Sequence, residues 1–411
     1  MVVYNPADPR AASDPWPLYE QLRREAPVHR SPRGFWVVAR HADCLALLRD
    51  RRASADAGNV DPALAPEGFG TGRRRGGGPA ASAARAEHDN RPFLFRDPPD
   101  HTRLRGLVSQ AFTPRMVEGL RRRTEAVVDE LLDAALERGE ADLVAHLAYP
   151  LPVRVICDML GVPAADQDRF HGWSAALARS LDPDFLLTEG EHRARLDAVA
   201  AFADYFFALL AERRARPGDD LLSRLVTAEV RGDVLSEGEL LSTAVLLLVA
   251  GHETTVNLIG GGVLALLEHP RELARLRAEP GLVRPAVEEL LRYVSPVQLT
   301  GRSLTGDVEV GGTVLPKGGF VLVLIGSANR DPAAFHHPDR LDLSRPDNRH
   351  LGFGLGLHHC LGAPLARLEA QVAIPALLRR AGTIELAAGP VRYRENVVLR
   401  GLAELPVRLA A

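Results

Sequence analysis

HLGFGLGLHHCLGAPLARLE, residues 350–369, is the stretch on which the reading of the whole chain turns. Glycines at 352, 354 and 356 lead to His358, His359 and then Cys360. Beyond the cysteine, Leu361, Leu365, Leu368 and Val372 recur in steps of four, three and four, which is one face of a helix. Pro364 is tolerated there because first-turn amides have no carbonyl partner. Cys360 therefore sits at a helix N-terminus, where free amides and the helix dipole favour an anion and depress a thiol's pKa. The glycines lack side chains, so the backbone can take positive φ and pass close to a large flat ligand. Phe353 could shield the sulfur from water. A lone cysteine is also often just a small buried hydrophobe. Zinc fits poorly, since adjacent residues rarely point at one ion and no CxxC or HxxxH supplies further ligands. An axial thiolate on iron, with the loop against a porphyrin, accounts for sulfur and glycines together.

The remaining composition narrows the class. The chain has 411 residues, 46% of them hydrophobic, ample for a large core, and a net charge of -3, which is no footprint for nucleic acid. Among 50 basic residues only Lys317 is lysine, a compositional bias with no functional content. Cys44, Cys157 and Cys360 are odd in number and far apart, so no disulfide framework is implied. The start, MVVYNPADPR, has no basic leader or apolar core, and a cytoplasmic protein is expected. Residues 240–267 mimic a membrane span, but His252, Glu253, Thr254, Thr255 and Asn257 lie at its middle. Charge at bilayer depth is costly, so a buried helix touching something polar is the better reading.

Apolar spacing of three and four predicts helices over residues 113–138, 163–179, 191–216, 236–269 and 283–293. Residues 33–40 and 318–330 read as strands, and DVEVGGTVLPKG as a hairpin around Gly311-Gly312. Residues 61–86 are rich in Gly, Pro, Ala and Arg and read as loop, either a solvated excursion or a mobile lid over a cavity.

The motif Phe353-x-x-Gly356-x-x-x-Cys360-x-Gly362 resembles the cysteine-ligand signature of the cytochrome P-450 superfamily in its soluble bacterial form. The likeness spans almost the whole chain, in order DPPDHTRLR, AGHETT, EELLR, SANRDP, LDLSR and FGLGLHHCLGAPLAR. It implies one mainly α domain over residues 1–411 with small β-sheets. Haem b would lie between the long central helix and the cysteine-bearing helix, and residues 61–90 would form a substrate-access loop.

The resemblance also distributes roles. Cys360 would ligate the iron, with Ala250, Phe353, Gly354 and Gly362 against the cofactor. Asp97 can cap a helix with Pro98 in its first position. His101 and Arg105 then share one helical face and, with Arg302 and His358, would hold the propionates, which need cationic or hydrogen-bonding partners when buried. His359 would be a spectator. Thr254, able to bond back to a carbonyl, and Glu253 would deliver the protons that O–O cleavage requires. Glu289, Arg292 and Arg345 would be scaffold. Pocket walls would include Leu246, Val249, Ala250, Val297, Leu299 and Val398, with residues 61–90 and 182–195. Gly260-Gly261-Gly262 signals tight packing or a hinge.

The activity implied is O2-dependent monooxygenation, hydroxylation or epoxidation, of a mid-sized apolar substrate in natural-product biosynthesis. No G-x-G-x-x-G opens a helix after a strand, so electrons would come from a ferredoxin and its reductase. Arg103 and Arg367 are candidates for that docking face. Arg73, Arg74 and Arg75 either meet a substrate carboxylate or carrier protein or are solvated. A peroxide-driven peroxygenase and a non-catalytic haem sensor or carrier are the alternatives. Glu253-Thr254 argues against the first, and the second has no need of a proton relay.

Overall fold

The computed structural model describes residues 2–67, 91–230 and 232–410. Arg73, Arg74, Arg75 and most of the expected access loop lie outside the described residues, while 61–67 form turns. The architecture is mainly α with small sheets, as expected.

Its axis is the helix Glu237–Glu268. Ser236 caps it in a reciprocal box: Ser236 Oγ accepts from Glu239 N at 3.3 Å, and Glu239 Oε2 accepts from Ser236 N at 2.8 Å. The helix is long and apolar enough to cross a membrane, yet most of it is buried inside the protein. It packs on Pro150–Leu160, on Val283–Val294 and on Ala363–Arg380, the helix that follows Cys360. The glycine triplet packs tightly and does not hinge. The helix runs through it unbroken, and a Cβ on Gly261 would come within 2.6 Å of Val294 Cγ1.

The largest sheet has strand order Val28–Arg30, Trp36–Val38, Phe320–Val323, Thr300–Leu304, Ala53–Ser54. Phe320–Val323 runs parallel to Trp36–Val38 and antiparallel to Thr300–Leu304, placing Val321 opposite Arg302. The hairpin forms as read, with Gly311 at φ 56° and Gly312 at φ 76° between Val308–Val310 and Thr313–Leu315.

Two local expectations fail. The run 318–330 is strand only over Phe320–Val323 and then turns into the short helix Ile325–Ala328. Asp97 does not cap the next helix, which spans Asp100–Ala111 with Pro99 before it. The Asp97 carboxylate instead accepts from Ser54 Oγ and from Ala55 N at 3.1 Å. With two prolines following Asp97, the first turn forms two residues later than read, beyond reach of its side chain.

Glu289, Arg292 and Arg345 meet as expected. Glu289 accepts from Arg292 Nε and Nη2, both at 2.8 Å, and from Arg345 Nε at 3.0 and 3.1 Å. Arg292 Nη1 also donates to Asn329 O and Pro338 O at 2.8 Å. Every charge is paired, which a fully buried ion triad requires.

Candidate functional site

Cys360 stands three residues before Ala363, the first residue of its helix. Phe353 O accepts from Cys360 N at 2.9 Å, and Gly354 and Gly356 take φ of 65° and 71°. A Cβ on Gly356 would meet Leu48 O at 2.7 Å, so this glycine is required by both conformation and space. The Cys360 side chain is exposed, whereas Cys44 and Cys157 are buried. Even so, enough of the chain surrounds it that burial raises its pKa. That corrects the expectation of a depressed thiol. Burial outweighs the opposing pull of the Gly362 amide, the Arg105 charge, the Ala363 amide and the Arg367 charge. The helix-terminal amides are there, but in the bare protein they do not win.

Beside the thiol, four donors converge. Among the described residues His101, 2% exposed, has no hydrogen-bond partner on either ring nitrogen, and His358 has none on Nδ1. Their rings lie 4.4 Å apart between centroids. Arg302 Nη1 donates only to neutral oxygens of its own strand, Gly301 O at 2.7 Å and Thr300 Oγ1 at 3.0 Å. Burial pulls Arg302 down to about 10. Burial and the charges of Arg302, His101 and Arg105 pull His358 down to about 3. Arg105 Nη2 donates to His359 O at 2.6 Å, so His359 helps place Arg105 through its backbone. Among the described residues no carboxylate bonds to any of these four groups. Orphaned buried donors are rare, and an anionic ligand bearing carboxylates fits this set.

On the central helix, Ala250 is exposed and Leu246, Val249 and Thr254 are half-buried, although the residues around them are buried. Their spacing of three, one and four puts them on one stripe. Thr254 Oγ1 donates to Ala250 O at 3.1 Å, as expected of a hydroxyl bonding back along the helix. Glu253 turns the other way and is 2% exposed. Its Oε2 accepts from Arg394 Nη1 at 2.8 Å, and its Oε1 lies 3.5 Å from His252 Nε2. Burial would raise this carboxyl, but His252 and Arg394 more than offset it and hold it below the usual range.

Sequence reasoning missed Arg394 and the cavity beside it. A space of about 240 Å³ is lined by Tyr149, His171, Glu253, Asn257, Arg394 and Asn396, with apolar neighbours. Among the described residues two lining atoms, Tyr149 Oη and Asn257 Oδ1, are buried without a hydrogen-bond partner, and Glu253 Oε1 has only His252 Nε2, at 3.5 Å. A polar space of this size suits water.

Of the expected pocket residues, Val297 and Val398 are half-buried. Leu299 is 3% exposed and packs with Tyr19, Phe35, Val37 and Leu322, so its side chain belongs to the core and not to an open wall. The two arginines considered for partner docking are both paired within the chain: Arg103 with Glu239 and Asp233, Arg367 with Glu288 at 2.6 Å.

Residues 70–382 match the family model described as Cytochrome P-450. The chain is 40% identical to the polyketide biosynthesis cytochrome P-450 PksS of Bacillus subtilis (strain 168), over 100% of this chain and 99% of that protein. The solved PksS structure superposes with a TM-score of 0.88, covering 100% of each chain. It is 43% identical to the cytochrome P-450 monooxygenase PikC of Streptomyces venezuelae, over 97% of this chain and 91% of that one. A crystal structure of P-450BioI with an acyl carrier protein ligated to hexadec-9Z-enoic acid gives a TM-score of 0.87 at 36% identity, covering 98% and 100%.

Proposed function

The chain belongs to the cytochrome P-450 family, and from that premise we propose that Cys360 is the thiolate ligand of its haem, with His101, Arg105, Arg302 and His358 on the propionates. As a member it is a haem-thiolate monooxygenase of natural-product biosynthesis, placing one oxygen atom of O2 into an organic substrate. The observation that carries the residue assignment is the convergence of four imidazole and guanidinium groups, none bonded to an acid among the described residues, beside an accessible thiol.

When bound, iron protoporphyrin IX supplies the centre at which O2 is reduced and cleaved. The remaining work falls to the chain. Cys360, as thiolate, gives electron density to that centre, and its ionisation in the buried site comes with metal binding. Gly354 and Gly362 would let backbone lie against a flat face, while Gly356 lets the same loop pack on Leu48. Ala250 leaves room on the central helix where a larger side chain would fill it. Glu253 would serve as the relay: its Oε1 lines the polar cavity, where it would take a proton delivered from bulk solvent, and the carboxyl would leave Arg394 to turn toward the Thr254 hydroxyl. A carboxyl is suited to this transfer. Leu246, Val249, Val297 and Val398 offer the substrate apolar surface and exclude water.

The substrate in this reading is mid-sized and apolar, and the resemblance to a relative solved with an acyl carrier protein supports a carrier-bound form. Bacterial members use redox partners; here we assign a ferredoxin and its reductase drawing on NAD(P)H, in the cytoplasm. The test is turnover of the haem-loaded protein with ferredoxin, reductase and NAD(P)H, after a difference-spectrum screen for binding compounds. Product that depends on both O2 and reductant supports the proposal. Full turnover with peroxide alone overturns it.

A further inference from the structure

At the end of the helix Phe170–Arg179 lies an ion pair that no motif announces, its carboxylate buried and its guanidinium half-buried. Asp182 is 3% exposed. Its carboxylate accepts from Arg179 Nη1, from Val397 N at 3.1 Å and from Val398 N at 2.8 Å. Arg179 uses its other donors on Leu186 O at 3.0 Å, Glu395 O at 3.1 Å and Glu191 Oε1 at 2.7 Å. Glu191 also closes the capping box of the helix Glu189–Ala215 with Thr188. One guanidinium–carboxylate pair thus ties a helix end, the turn at Asp184–Leu186, the start of the next helix and the C-terminal segment 395–398 to one point.

The consequence lies one step further on. Val398 O accepts from Gln298 N at 2.9 Å, and Val297 pairs with Leu399 in an isolated bridge. Val297 and Val398 are half-buried apolar side chains carried on the two segments that these bonds join. Their backbone is anchored from one end by Asp182. Removing its charge leaves two amides competing for a weaker acceptor and a half-buried Arg179 held by Glu191 and two carbonyls alone, both of which favour a shift of the segment.

We propose that Asp182, held by Arg179, is a positioning residue that fixes the Val297–Val398 wall of the substrate pocket and so sets the size of ligand admitted. The proposal rests on the haem-thiolate reading above. A merely structural ion pair would lower stability and leave size discrimination alone.

The test uses the holoenzyme and two azoles that bind through the same nitrogen: imidazole, too small to reach a side wall, and 4-phenylimidazole, whose ring must fit beside it. Dissociation constants are read from the Soret shift for wild type, Asp182→Asn and Arg179→Lys. Asparagine keeps the shape and loses one acceptor; lysine keeps the charge on Asp182 and loses the fork to Leu186 and Glu395. Imidazole binding is expected to stay within about twofold in both variants. 4-Phenylimidazole is expected to weaken at least about tenfold in Asp182→Asn and about threefold in Arg179→Lys. If both azoles weaken equally, or neither does, the inference is wrong. Should Asp182→Asn fail to load haem, the ratio of the two azoles in Arg179→Lys decides. Failure of the haem-thiolate reading is recognised separately, as a wild-type carbon monoxide complex lacking the thiolate-type Soret band.

Discussion

Replacing Arg394 by methionine removes the only guanidinium bonded to Glu253 among the described residues and leaves the chain's packing volume almost unchanged. Glu253 is 2% exposed and Arg394 Nη1 sits 2.8 Å from its Oε2, a charge-assisted bond worth about 1.5–3 kcal/mol. At about 1.4 kcal/mol per unit, the Glu253 pKa should climb by about 1–2 units. The sign follows from burial, which already pushes this carboxyl up and is held in check by His252 and Arg394. In wild type a carboxyl below its unfolded value contributes stability that is present above that value and lost as pH falls through the folded one. Arg394→Met should therefore cost about 1.5–3 kcal/mol at neutral pH, with the gap to wild type closing below about pH 4. Infrared titration of the carboxyl stretch checks the shift directly, with Glu253→Gln/Arg394→Met subtracted to assign the band. The double variant should recover stability relative to Arg394→Met, because the stranded charge is gone. An unmoved titration in Arg394→Met would refute the claim that this ion pair sets the charge on Glu253.

Other perturbations have equally definite outcomes. Thr254→Ala should leave NAD(P)H oxidation running while product per NAD(P)H falls at least about tenfold, measured by matched cofactor and product assays. Glu289→Gln should cost about 3–5 kcal/mol in chemical unfolding, since Arg292 and Arg345 lose their shared counter-ion in a buried site. Gly261→Ala should destabilise by about 1–3 kcal/mol, because its Cβ would close on Val294 Cγ1 to 2.6 Å in a packed helix crossing.

Local pattern carried much of this protein into view. The central helix is bounded by Ser236 and His269, the ends that apolar spacing gave it. His101 and Arg105 share a helical face because they are four residues apart, and two of the three glycines before Cys360, Gly354 and Gly356, take positive φ. What stayed hidden depends on partners remote in sequence. Arg394 reaches Glu253 across 141 residues from a segment without regular structure, so no periodicity points to it. Asp182 is equally silent, since the amides it binds lie 215 and 216 residues away. The thiol illustrates the limit differently. The amides at Gly362 and Ala363 could be counted from the sequence, but the burial that outweighs them could not. The glycine triplet left packing and hinge open until Val294 was seen against it.

The central claim is a sulfur–iron bond at residue 360, and the reduced carbon monoxide difference spectrum tests it most directly. Wild type should show the thiolate-type Soret band and Cys360→Ser should lose it, because Cys44 and Cys157 are buried and cannot take over. A wild-type spectrum without that band, or a Cys360→Ser variant that keeps it, would contradict the account.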